Sequence, residues 1–317
     1  MGLTLSVVIV SWNTRQLVLD CLNSLENCRL HMAMEVILVD NASADDTVEC
    51  VRKQFPNTLI IQNSENLGFA RANNLGLQAS SGEFIALINS DVQVPNGSLE
   101  KMVSYMKENR DIGMLGPKMI LRDGTTGQSC YRYPTVGRWF TEALSLSTIL
   151  NKTAGFGDFK MSDFKHDRTM EVDVLTGWFW LVRREAIQQI GLLDTQFFMY
   201  GEDIDWPKRF HDGKWKVVFY SEANAIHYCG ASSDRAPVRF YVEMNRANLQ
   251  YFRKHHNIIG VIGFWIAIWL HQTLRLIGYS LVFAVQKRRR EIAAHKVKRS
   301  AACLLWLVGL KTGSEVA

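Results

Sequence analysis

The six cysteines of this 317-residue chain form no C-x-x-C pair, which excludes a zinc knuckle and a thioredoxin-type dithiol. Cys21, Cys28, Cys50, Cys130, Cys229 and Cys303 therefore read as reduced thiols. No signal peptide precedes the first apolar run, so a cytoplasmic protein is expected. Met1-Gly2-Leu3-Thr4-Leu5-Ser6 fits a myristoylation pattern, but Leu5–Val10 already reads as a buried strand. The turn after that strand has no G-x-G-x-x-G, and no G-x-x-x-x-G-K-[ST] occurs anywhere. Dinucleotide enzymes and P-loop nucleotidases thereby lose their main support. Internal repeats and low-complexity linkers are also missing. Net positive charge is missing outside one segment. The net charge is +5, yet residues 287–299 hold seven Lys or Arg against one Glu, leaving the rest of the chain at −1. Binding of nucleic acid over a broad basic face is excluded.

What is present is a core. Hydrophobic residues make up 47% and charged residues 21%, enough for one large α/β domain or two small ones. A mean hydropathy of −0.05 is far too low for a polytopic membrane protein. Apolar runs at Leu5–Val10, Val36–Val39, Thr58–Ile61 and Phe84–Ile88 alternate with helical spacing over 14–27, 48–55 and 70–79. Strand and helix in this rhythm predict a mostly parallel sheet covered on both faces, with ligands beyond the carboxyl ends of the strands. Beyond residue 116 the pattern is mixed. Gly124–Phe164 reads as loops, Val172–Val182 as a strand, and 184–190, 203–211 and 238–254 as helices. Lys216–Tyr220 reads as a further strand. The expected divisions are 1–115, 116–255 and a helical tail over 256–317.

The strand ends are polar: Ser11-Trp12-Asn13, Asp40-Asn41-Ala42-Ser43 and Asn89-Ser90-Asp91. A carboxylate after the second strand is able to accept the N3–H of uracil or thymine, and one after the fourth to hold a divalent metal. Either alone is as readily a turn former. Asp40–Thr47, Asn66–Gly76 and Asn89–Asp91 together resemble glycosyltransferase family 2. Thr176-Gly177, Arg183-Arg184, the run Phe198–Trp206, and His227 with Gly230 and Ser232 resemble its rhamnosyltransferase-like branch. The resemblance spans roughly residues 4–255 and implies the GT-A fold and inverting sugar transfer.

The resemblance also implies roles. Asp40 matches the residue that reads the pyrimidine, and Ser11 and Asn13 line the same pocket. Asp91 matches the last residue of a D-x-D metal motif whose first position is here Asn89. His227 matches a further metal ligand of some members; imidazole with one carboxylate suits Mn²⁺ somewhat better than Mg²⁺. Asn66, Gly68 and Arg71 fall in the turn and helix before the fourth strand, with Arg71 in reach of phosphate. Thr176, Gly177 and Trp178 face sugar or acceptor. Glu202-Asp203 opens a predicted helix, where acids complement the helix dipole. The resemblance makes Asp203 the base and Glu202 the holder of an acceptor hydroxyl.

Ile258–Leu270 carries no charge and Ile277–Val285 is nearly as apolar, with Arg275 between them. An Arg inside a spanning helix costs about 2.5–3.5 kcal/mol. His271, Arg275, Tyr279, Val282 and Gln286 fall near one stripe, which favours a helix in the membrane plane or a re-entrant hairpin. The basic run 287–299 then meets anionic headgroups. Packing on the catalytic domain or in a homodimer is the alternative. The expected protein is a metal-dependent glycosyltransferase at the cytoplasmic membrane face. Its expected donor is a nucleotide diphosphate sugar, dTDP-rhamnose first, and its acceptor a saccharide on a polyprenyl lipid. A sugar-phosphate nucleotidyltransferase would need a Gly-rich loop that Ser11–Gln16 lacks. A silent sugar-nucleotide-binding protein would fail a donor-hydrolysis assay.

Overall fold

The computed structural model describes residues 4–29, 33–146, 159–228 and 237–310. Gly2 of the acylation pattern, Cys229, Gly230 and Ser232 lie outside the described residues. The chain divides into two compact units, Met1–Arg132 with Ser162–Ser232, and Tyr133–Met161 with Ser233–Ala317.

The first unit starts with the expected alternation: β1 (Leu5–Ser11), α1 (Arg15–Arg29), β2 (Met34–Asp40), α2 (Thr47–Gln54), β3 (Thr58–Gln62), α3 (Gly68–Ala79) and β4 (Phe84–Asn89). These strands pair in parallel in the order β3-β2-β1-β4. Leu5, Val7, Val8 and Ile9 of β1 are all fully buried, as a run with no polar alternation requires. Next come β5 (Val92–Gln93), α4 (Ser98–Glu108) and β6 (Ile112–Leu121), then the short β7 (Cys130–Tyr131). After the segment that belongs to the second unit come β8 (Met170–Glu171), β9 (Val174–Leu175), β10 (Phe179–Arg183), α6 (Arg184–Ile190), α7 (Glu202–Asp212) and β11 (Lys216–His227). β10 runs antiparallel between β4 and β6, so the sheet changes character at β4. β11 pairs in parallel with β6, with a register shift between Tyr220 and Asn224, and its end pairs antiparallel with β5. Only Ser90 and Asp91 separate β4 from β5. The irregular β11 therefore returns its own end to the end of β4, setting His227 opposite Val92.

Two sequence expectations need correction. Val172–Val182 is not one strand but β9 and β10. β9 pairs with β7 in a separate two-stranded sheet, and Thr176 extends that pairing by donating its N–H and hydroxyl to Ser129 O, at 3.0 and 3.1 Å, before β10 enters the main sheet. Gly124–Phe164 is not only loop: it holds β7 and, in the second unit, α5 (Val136–Ala143). The Thr135 side chain caps α5 by accepting from Arg138 N. Residues 147–158 lie outside the described residues.

The second unit joins α5 to α8 (Pro237–His255), α9 (Ile258–Val285), a 3₁₀ turn (Lys287–Arg289) and α10 (Arg290–Leu307). Phe264 of α9 stacks on Phe252 of α8 at 4.4 Å and meets the edge of Trp139 of α5 at 5.2 Å. Gln272 donates to the Tyr241 hydroxyl at 2.8 Å, and Arg299 of α10 lies over the Tyr241 ring. The stripe read from the sequence turns inward for much of its length: His271 is buried, and Arg275 and Lys296 both approach the Tyr279 ring. Outward, α9 exposes Ile258, Ile262, Trp265, Ile266, Trp269, Ile277, Leu281 and Val285. By length and composition α9 is able to cross a membrane.

Gly76 of α3 sits where an added Cβ would collide with the Val8 side chain of β1. Gly76→Ala should lower unfolding stability by about 1–3 kcal/mol through overpacking. In chemical denaturation Val8→Ala should return part of that loss when combined with it. Simple additivity of the two would show that the helix does not press on the strand there.

Candidate active site

The ends of β1 and β2 are tied together by side chains. Ser11 Oγ donates to Asp40 Oδ1 at 3.1 Å, and Ser43 N donates to Asp40 Oδ2 at 3.0 Å. Asn13 N donates to Ser43 Oγ at 2.8 Å, while Asn13 Oδ1 accepts from Ala44 N at 2.6 Å. Asp40 is fully enclosed and both of its oxygens are engaged. Direct contact with a nucleobase requires the turn after β2 to move.

Asn41, part of the sequence motif but not singled out as a site residue, organises the next loop. Its Nδ2 donates to Asn66 Oδ1 at 3.0 Å and to Gly68 O at 3.2 Å, and its Oδ1 accepts from Leu67 N at 3.1 Å. Asn66 Oδ1 also accepts from Gly68 N. Gly68 has φ +79°, and a Cβ there would lie 2.5 Å from Phe198 O. Phe69 N donates to that same oxygen at 2.8 Å. Glycine is thus demanded twice, by its backbone angle and by close approach. Through this contact the loop at the head of α3 is joined to the segment that leads into α7. Arg71 stands exposed on α3 with no hydrogen bond or ion pair among the described residues.

At the end of β4, Asn89 N donates to Trp178 O at 2.9 Å, and Tyr228 N donates to Asp91 O at 3.0 Å. Thr14 and Ser90 share a hydroxyl hydrogen bond of 3.0 Å. His227 Nε2 lies 3.1 Å from Asp91 Oδ1, and the His227 ring stacks on Trp178 at 5.3 Å. Trp178 is itself buried, so the face turned to His227 is not free for a sugar. Asn89, Asp91, Trp178 and His227 therefore form one cluster, from residues up to 138 positions apart in sequence.

Glu202 and Asp203 begin α7. Glu202 is buried, and Glu202 Oε2 and Asp203 Oδ1 are both enclosed without a hydrogen-bond partner among the described residues. Asp203 packs against Gly177, where a Cβ would stand 3.4 Å from Asp203 Cβ. Burial raises the Glu202 carboxyl from its ordinary 4.5 to about 7. Burial, then repulsion from Glu202, raises Asp203 well above its ordinary value, although a Gly177 backbone hydrogen bond works the other way. Both carboxyls therefore hold their protons to higher pH than exposed acids do. Asp205 differs: fully buried, it is neutralised by Arg209 at 2.9 Å. Tyr200, two residues before Glu202, has φ 78°, and Asn13 and Ala42 are also left-handed, at 55° and 62°. Backbone of this kind costs energy and gathers where side chains must be held for function.

The pair has a measurable consequence. A carboxyl raised in the fold contributes stability below its unfolded value, and that contribution is lost as pH rises through the folded value. Glu202→Gln should therefore unfold at higher temperature than the parent above pH 7. The two should converge below about pH 4.5, where both states are protonated. Melting curves that stay parallel across this range would mean that the carboxyl is hydrated.

The family model of glycosyl transferase family 2 matches residues 6–191. The chain is 26% identical over 253 residues to N-acetylglucosaminyl-diphospho-decaprenol L-rhamnosyltransferase of Mycobacterium tuberculosis, covering 76% of this chain and 80% of that protein. It is 24% identical over 303 residues to the dTDP-rhamnosyl transferase RfbF of Shigella flexneri, covering 92% of each. The mannosyltransferase PcManGT of Pyrobaculum calidifontis, solved with GDP-Man and Mn²⁺, shares the fold with a TM-score of 0.56 at 15% identity. That match covers 96% of this chain and 88% of the other. The sheet that turns from parallel to antiparallel at β4 is GT-A-like, and the chain belongs to glycosyl transferase family 2, enzymes that move a sugar from a nucleotide-sugar donor to an acceptor.

Proposed function

We propose that this enzyme transfers rhamnose from dTDP-rhamnose to a lipid-linked saccharide at the cytoplasmic membrane surface. The observation that carries the catalytic part is the desolvated Glu202–Asp203 pair at the head of α7, lying against Gly177. Asp203 takes the proton of the acceptor hydroxyl as that oxygen attacks the anomeric carbon. The bond from the anomeric carbon to the diphosphate breaks on the opposite side, with inversion, and the diphosphate leaves with the electron pair. Glu202 holds the acceptor hydroxyl, and burial beside that carboxyl makes the ionised Asp203 a stronger base than an exposed acid. Thr176 and Gly177 border the acceptor. Trp178 acts through His227, whose ring it holds in place.

The donor lies along the carboxyl ends of β1, β2 and β4. Ser11, Asn13 and Asp40 shape the base pocket, and Asn66, Gly68 and Arg71 flank it, with Arg71 exposed to meet phosphate. Asn89 supplies an amide to a ribose or sugar hydroxyl. Asp91 and His227 suit a divalent cation: a carboxylate and an imidazole stand side by side at the strand end where a diphosphate arrives. No group of three metal-binding side chains gathers among the described residues, so the diphosphate would complete the coordination. The bound cation would supply charge stabilisation of the leaving diphosphate. The choice of Mn²⁺ or Mg²⁺ follows the same donor set, and the fold relative solved with GDP-Man holds Mn²⁺.

Rhamnose and the lipid-linked acceptor rest on the two relatives named for them. The membrane reading rests on the outward apolar face of α9 and on the exposed Lys287, Arg288, Arg289 and Arg290 beside it. A helix face and a basic run together give durable attachment where one is marginal.

In a thermal-shift panel with Mn²⁺, dTDP-rhamnose should stabilise the enzyme with a concentration dependence that other nucleotide sugars lack. Preference for another sugar would overturn that donor. Asp91→Asn should abolish turnover and weaken metal-dependent nucleoside diphosphate binding while leaving the fold intact. Full activity in that variant would remove Asp91 from the metal site. Asp203→Asn should keep donor affinity and lower transfer by about 10²–10⁴-fold. Loss of donor binding with transfer unchanged would instead make Asp203 a helix cap.

A further inference from the structure

The second unit contains a cavity of about 360 Å³ between α8, α9 and α10, with Arg246 and Arg253 on one side and Trp265 and Trp306 on others. We propose that this cavity receives the phosphate headgroup of an anionic membrane phospholipid. The proposal rests on the membrane reading above and assigns it a binding site separate from the basic run.

Arg246 and Arg253 are seven residues apart, two helical turns, and so rise from one face of α8 with Leu249 between them. Arg246 is paired with Glu243 at 3.1 Å. Arg253 is exposed and makes no hydrogen bond or ion pair among the described residues. The cavity wall thus keeps a net positive charge. At the end of α10 the backbone would oppose an anion if its carbonyls were free. Three of them are occupied: the Leu304, Leu305 and Trp306 carbonyls accept from Val308, Leu310 and Gly309 N–H groups respectively. Guanidinium groups suit phosphate because their planar N–H forks match its oxygens.

The surroundings indicate a lipid as the source of that phosphate. Trp265 lines the cavity and is also 38% exposed, in the middle of the outward run Ile258, Ile262, Ile266 and Trp269. A phosphate held by the two arginines would have acyl chains beside this run. Tryptophan is favoured at such a boundary, with its ring in the apolar layer and its N–H toward water. A soluble phosphate gains nothing from exposed isoleucines.

The test uses the full chain and vesicles of phosphatidylcholine with or without phosphatidylglycerol. R246Q/R253Q should lose about tenfold or more in affinity for the anionic vesicles, with binding to phosphatidylcholine unchanged. R253Q alone, which removes an exposed side chain without a partner, should show part of the same loss and exclude misfolding as its cause. In thermal shift, dihexanoyl phosphatidylglycerol should stabilise the parent more than inorganic phosphate does, and this difference should vanish in R246Q/R253Q. If the parent binds anionic vesicles and both variants bind equally well, the cavity is overturned while the membrane reading stands. If inorganic phosphate stabilises as strongly as the short-chain lipid, the site is one for soluble anions and the proposal fails. If the parent binds no vesicle of either kind, the membrane reading fails and the proposal with it.

Discussion

Strand β4 is the constraint on which the rest of the first unit depends. On one side it continues a parallel sheet through β1, and on the other it takes antiparallel β10. Its last residue can therefore meet a partner that the parallel half alone would not provide. Asn89 N–H reaches Trp178 O, and two residues on, the Asp91 carbonyl receives Tyr228 N–H. The fully buried residues of β1 and β10 hold β4 from both sides. A slip of one residue at β4 would turn its side chains to the other face and separate Asp91 from His227.

The same unit concentrates its costs near the candidate site. Left-handed Asn13, Ala42 and Tyr200, the glycine contact at Gly68, and two enclosed carboxyl oxygens are all unfavourable taken singly. They are compensated by an apolar core that includes Trp180, Trp206, Phe179 and Phe210, all fully buried. Asp205 shows what a purely structural acid does on the same helix. It is matched by Arg209, whose remaining N–H groups bond to Ile190 and Leu192 carbonyls. Glu202 and Asp203 have no such cation among the described residues, and burial raises their proton affinity.

In the second unit the polar groups of α9 work mostly inward and its apolar groups outward. Gln272 finds Tyr241, and Arg275 finds Tyr279, which Lys296 of α10 also approaches, while isoleucines and tryptophans meet the surroundings. This is the reverse of a water-facing helix, and it suits a helix whose outer surroundings are apolar. The inner side is held by aromatic stacking of Phe252, Phe264 and Trp139. Removing everything after His256 would therefore uncover the buried Phe252, not merely release an appendage.

The sequence by itself determined the alternating strands and helices up to β4, because period and β-branched runs are local properties. It also determined the family, since the ordered motifs from Asp40 to Trp206 lie along the chain. The break between β9 and β10 was not legible there: β9 pairs with β7 in a separate sheet, where Thr176 bonds to Ser129, 47 residues away. Nor were the roles of Asn41, which are spent on backbone and side-chain groups of a distant loop, or the enclosure of Asp40 and Trp178. A strand-end acid looks the same in sequence whether it is open or covered. Folding alone gives Asp205 a cation, leaves Asp203 with none among the described residues, and turns the polar stripe of α9 mostly inward. Burial and pairing are set by what other segments bring to a residue, and hydrophobic period reports only the face on which it lies.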